Sequence, residues 1–109
     1  NVLVVDWSKV QSLKNAEQSA KDTAMVARQL SVLVLKLVKV YPATVRPADI
    51  HAVGFSMGAH LVGFFGRHFT SRTNQKIGRI TGLDPAAPFF QGIETHLMKD
   101  DADFVDVIH

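Results

Sequence analysis

Hydrophobic positions change their spacing several times along this chain, and each change predicts an element. Val2-Leu3-Val4-Val5 is an unbroken apolar run that stops at Asp6-Trp7, the pattern of a parallel strand buried on both faces. Asn15, with Gln18 three residues on, resembles a capping box. Behind it Ala16, Ala20, Ala24, Ala27, Val34, Val38 and Tyr41 recur at helical spacing, with Leu30, Leu33 and Leu37 widening the stripe. Pro42 ends that helix, and the stretch from Pro42 to Asp49, which also holds Pro47, reads as a loop. Ile50 to Phe55 is short and largely apolar with Gly54 near its end, as expected of a buried strand entering a tight turn. A second helix starts directly after Ser56, with Ala59, Val62 and Gly63 on one face, and the polar, basic stretch Arg67 to Lys76 reads as its exit loop. Ile77 to Leu83 predicts a third strand. Phe104 to Ile108 predicts a fourth, beyond a loop rich in Pro and Phe that includes Phe89 and Phe90.

This order of strand, helix, strand, helix, strand, loop and strand predicts an α/β protein whose first three strands run parallel. In such sheets ligands sit beyond the carboxyl ends of the strands. Asp6-Trp7, Ser56 and Asp84 all fall at such ends.

Composition narrows the picture. With 47% hydrophobic residues in 109, the chain has the means to bury a core. It begins without a methionine on an apolar run and stops at Val107-Ile108-His109, so it reads as part of one larger domain, cut at both ends. The most apolar stretch, Leu30 to Val40, is interrupted by Lys36 and Lys39 and falls short of the roughly 20 apolar residues of a membrane span. The absence of cysteine leaves the redox compartment open. A net charge of +2 hides an asymmetry of +7 over residues 1–79 and −5 over residues 80–109. The basic residues are scattered, without the interleaved aromatics of a nucleic-acid surface, and read as solvated surface.

The chemistry concentrates at Gly54-Phe55-Ser56-Met57-Gly58. Alone, a Gly-x-Ser-x-Gly pattern is a weak signal, but here the serine lies between an apolar strand and a helical run, the setting of a nucleophile elbow. Gly54 and Gly58 are expected where a Cβ would collide as strand and helix fold back on one another. The plain alternative is an ordinary turn with a capping serine. Ser56 precedes a helix N-terminus, so the Met57 N–H is placed to hold a developing oxyanion. A serine hydroxyl needs a histidine base, and the base needs a carboxylate. Asp84 fits that role, at the end of the next strand and fixed by Pro85, with a helix cap or Asx-turn as its plain alternative. His96 and His109 follow the acid, but one stands in an acidic loop and the other ends a strand, so neither reads as the base. His51, His60 and His68 precede it and read as strand and helix residues.

Four blocks extend the match. Residues 1–7 (Asn1 to Trp7), 54–60 (Gly54 to His60), 77–86 (Ile77 to Ala86) and 101–109 (Asp101 to His109) resemble, in order, the pancreatic lipase and lipoprotein lipase family, which includes arthropod phospholipases A1. The resemblance implies an α/β-hydrolase fold, here partial, with central parallel strands, crossover helices and a nucleophile elbow. It implies a secreted carboxylic ester hydrolase of the triacylglycerol lipase type, acting on lipid esters at a membrane or lipid-droplet interface. Ser56 becomes the nucleophile, Asp84 the triad acid and Met57 an oxyanion donor, with Gly54 and Gly58 shaping the elbow. The catalytic histidine is implied beyond His109, so residues 1–109 alone are expected to be inactive. A second oxyanion donor is implied at or near Trp7. The chemistry requires no cofactor, but the resemblance also implies a structural calcium ion with Asp101 as a ligand and Glu94, Asp100 and Asp103 nearby. At the adjoining positions the chain reads His96-Leu97-Met98-Lys99, where the family often has Arg-Leu-Ser-Pro or Arg-Leu-Asp-Pro. Phospholipase A1 activity is the alternative within the family. A catalytically silent lipase-fold binding or storage protein is the alternative outside enzymology.

Overall fold

The computed structural model describes residues 2–6, 16–85 and 97–109, of which residues 16–20 by their backbone only. Its elements are α1 (Ala16–Val40), a short 3₁₀ turn (Pro47–Asp49), β1 (His51–Phe55), α2 (Met57–Thr73), β2 (Arg79–Leu83) and β3 (Phe104–Ile108). All strand pairs are parallel, in the order β1-β2-β3, with Phe55 opposite Leu83 and Leu83 opposite Ile108. The α/β-hydrolase class expected from the sequence is therefore present in part: central parallel strands, a crossover helix between β1 and β2, and a sharp strand-to-helix turn at Ser56.

Side-chain alternation along the strands decides where the core lies. Ile80, with Ala52 and Val105 beside it, joins Leu61, Val62, Phe65 and Phe69 of α2 under the sheet. α1 packs on α2 through Val26, Ala27 and Val34, and two small polar residues, Thr23 and Ser31, are buried on the same stripe. The apolar periodicity of α1 is thus borne out at Ala27, Val34 and Val38, whereas Leu33 and Tyr41 remain exposed. Burying fully a side chain the size of Phe65 or Phe69 contributes about 1.5–3 kcal/mol, so α2 is the principal anchor of the sheet.

Three expectations are corrected. Residues 2–5 form no strand: they run beside Val26, Leu30 and Leu33 of α1, with Val2 and Val4 largely exposed. An apolar run states a preference for burial but not a pairing partner, and among the described residues no strand pairs with this one. Arg67 to Thr73 is helix rather than exit loop. Phe69, with no exposed surface, draws that turn onto the core while the polar residues share its outer side, and Asn74 in the left-handed conformation closes the helix through its N–H to the Thr70 carbonyl, 2.7 Å. The third strand is shorter than the apolar run, beginning at Arg79 instead of Ile77. Ile77 is buried without belonging to the sheet.

Candidate active site at the carboxyl edge of the sheet

Ser56 and Asp84 leave neighbouring strands at the same level, because their predecessors Phe55 and Leu83 are register partners. The Ser56 N–H donates to the Leu83 carbonyl at 2.8 Å, and the Asp84 N–H to the Ile108 carbonyl at 2.6 Å, so each turn is tied to the next strand. Both residues have positive φ, 56° and 44°. Asp tolerates that region through its short polar side chain, whereas serine at ψ −118° stores strain of about 1–3 kcal/mol. A capping serine has extended backbone and bonds its hydroxyl to the helix. Ser56 does neither: no side-chain cap bond forms, so the hydroxyl is not spent on α2.

The glycines divide. A Cβ on Gly54 would run into the Gly58 carbonyl and come within 2.7 Å of the Ala59 nitrogen, so strand and helix approach too closely for any side chain there. At Gly58 the expected collision does not occur, for a Cβ there meets nothing within 4 Å. Gly58 sits in the first turn of α2 and offers its carbonyl, not its Cα hydrogens, to the strand. Met57 is the first residue of that helix, half-buried, at a position whose N–H has no acceptor within the helix.

His109 follows β3, and its Nδ1 lies 4.0 Å from Asp84 Oδ1, beyond hydrogen-bond range. Adjacent strands are about 4.8 Å apart, so the row Ser56, Asp84, His109 puts His109 two strand spacings from the serine with the acid between. A base must stand between nucleophile and acid. The geometry agrees with the expectation that His109 is not the base. His96, Glu94, Trp7 and the Phe89-Phe90 pair lie outside the described residues.

Two of the other histidines, His60 and His51, have structural partners. His60 is buried, and its Nδ1 accepts the Leu97 N–H at 3.1 Å. His51 Nε2 donates to Thr81 Oγ1 at 2.7 Å, because the Thr81 hydroxyl proton goes to Asp106 Oδ1, also at 2.7 Å. Arg79 holds the same carboxylate from the other side, with Nη2 2.9 Å from Oδ2. The Arg79 and Thr81 bonds pull the Asp106 pKa from 3.8 down to about 2. His68 has a buried Nδ1 with no partner; burial, then the charges of Arg72 and Arg28, lowers its pKa.

Asp101 is buried rather than set in an open acidic loop. Its Oδ1 accepts from Arg67 Nε at 3.0 Å, and its Oδ2 accepts from Arg67 Nη2 at 3.2 Å and from the Met98 N–H at 2.8 Å. Calcium takes six to eight oxygens at about 2.3–2.6 Å. Both oxygens of Asp101 already carry N–H donors, Asp100 and Asp103 are exposed, and among the described residues no three acidic, His or Cys side chains gather as a metal site. The described donor set does not fit the ion. The sequence reading placed Arg67 in a loop and so missed this pair; the signal was its spacing of seven from His60, which puts both on one face of α2.

Comparison with known proteins identifies the family of the chain. The family model described as Lipase matches residues 1–109. The whole chain is 43% identical to Lipase member H of Danio rerio and 43% identical to pancreatic triacylglycerol lipase of Oryctolagus cuniculus, covering 23% and 22% of those proteins. It is 41% identical to lipoprotein lipase of Sus scrofa, again over the whole chain and 22% of that protein. The chain therefore spans less than a quarter of the length of these relatives. With the match running from residue 1 to residue 109 and the serine turn built as described, the chain belongs to the lipase family.

Proposed function

We propose that residues 1–109 are part of a single catalytic domain of a secreted carboxylic ester hydrolase that cleaves lipid acyl esters of the triacylglycerol type. The observation that carries this reading is Ser56: a strained residue at positive φ, ahead of a helix N-terminus, with its hydroxyl not used as a cap and Asp84 one strand away. Ser56 Oγ attacks the acyl carbonyl while its proton passes to a histidine supplied from outside these residues. Asp84 holds that histidine in the tautomer that accepts the proton and stabilises the imidazolium. The Met57 N–H receives the oxyanion, assisted by the α2 dipole. The C–O bond to the alcohol breaks as the histidine returns the proton, and water then releases the acyl group from Ser56 by the same steps in reverse roles. Named pancreatic and lipoprotein lipases among the relatives support secretion and a lipid-ester interface as the working place. No helix among the described residues is long and apolar enough to cross a membrane. Nothing in the charge pattern suits nucleic acid.

The test is hydrolysis by the full-length protein of triacylglycerol emulsions and of phospholipid vesicles, beside an Asp84→Asn variant. Triacylglycerol cleavage is expected, with kcat reduced about 10⁴-fold in the variant, as for loss of the carboxylate in other Ser-His-Asp sites. Phospholipid cleavage alone would move the assignment to phospholipase A1, and no cleavage of either would move it to a silent protein.

A further inference from the structure

The turn from Leu97 to Ala102 lies along α2, and every element of the contact is built for it. His60, Gly63, Gly66 and Arg67 share one helical face by spacing. His60 receives the Leu97 N–H. A Cβ on Gly63 would come within 2.9 Å of both Asp101 Oδ2 and Leu97 Cδ1, and one on Gly66 would overlap the Asp101 carbonyl, so both glycines admit the turn. At the centre the Asp101 side chain, 3% exposed, is held by the Arg67 guanidinium in a two-point fork. A buried carboxylate needs a compensating charge and donors for its oxygens. Arg67 supplies the charge, and the Met98 N–H supplies a further donor to Oδ2.

We propose that Arg67 is the resident cation of this turn: the guanidinium closes the segment 97–102 onto α2, in place of a calcium ion. A divalent cation on Asp101 would have to displace the guanidinium or stand against it, like charge to like charge, in a buried position. The neighbouring position where the family often carries Ser or Asp is Met98, whose thioether is a poor ligand for a hard cation. Unlike a bound ion, arginine is permanently charged and covalently retained, so the order of the turn does not vary with free calcium.

The test is hydrogen exchange by mass spectrometry on the full-length protein, read over peptides spanning residues 97–102, in excess calcium and in excess chelator. Wild type is expected to show the same protection in both conditions. Arg67→Gln is expected to lose that protection in chelator, because Asp101 is left buried and uncompensated, and Arg67→Lys to lose part of it. Protection of the wild-type turn that collapses on chelation would overturn the proposal. So would protection in Arg67→Gln equal to wild type in chelator. Should Arg67→Gln fail to fold, the wild-type pair and Arg67→Lys decide the matter alone.

Discussion

The two turns at the carboxyl edge of the sheet solve one geometric problem in different ways. Both follow directly on a parallel strand, both use positive φ, and both tie their first N–H to the neighbouring strand. The serine turn is enclosed: Gly54 and Ala59 are buried on either side of it, and the strand backs onto the helix with no room for a methyl group. The aspartate turn is open, its side chain 73% exposed and its position set by the main-chain bond to Ile108. The strain at Ser56 is held by the close packing of β1 against the first turn of α2 at Gly54. The position of Asp84 is instead set by the sheet register and its main-chain bond.

The sharpest way to break this contrast is Gly54→Ala. The new methyl meets backbone rather than a flexible side chain, so a loss of at least about 3 kcal/mol is expected, read by urea denaturation of the full-length protein. Ser56→Gly should act in the opposite direction, gaining about 1 kcal/mol by releasing the strain at φ 56° while abolishing turnover. A stability loss in that variant would mean that the serine side chain, and not the backbone fold-back, holds the turn. Gly58→Ala separates the two elbow glycines: with open space at that Cβ and helical backbone, it should stabilise by about 0.5–1 kcal/mol. Destabilisation comparable to Gly54→Ala would place the close approach at the helix and refute the assignment to the strand.

The smallest effect concerns the same sheet away from the elbow. The Asp106 pKa is lower in the folded protein, about 2, than its ordinary 3.8, so the unfolded state binds the proton first as pH falls. Its contribution is complete above pH 3.8 and is lost on descending to about pH 2. Melting temperatures of wild type and Asp106→Asn should therefore differ most above that window and converge below it. A constant difference across the window would detach Asp106 from the acid limb.

Much of this was legible from local pattern. β3 matches its apolar run from Phe104 to Ile108, and α1 ends before Pro42, as a ring without an N–H requires. Gly54, Ser56 and the helix after them were readable because an elbow demands a small residue, a polar residue and a helix start in fixed order. What escaped depends on distant partners. Arg67 looked like loop because its charge was visible and its partner, Asp101, lies 34 residues away. Val2 to Val5 looked like sheet because hydrophobicity records a preference for burial and not the strand that satisfies it. Gly58 was given the role of Gly54 because the motif is symmetric in sequence while strand and helix are not symmetric in space.

Covalent capture decides whether the Ser56 hydroxyl is the reacting group. Full-length protein treated with a fluorophosphonate, digested and sequenced by mass spectrometry should carry one adduct, on Ser56, absent from Ser56→Ala. An unlabelled wild type, or an adduct on another serine that persists in Ser56→Ala, would show that Ser56 is not the reacting group.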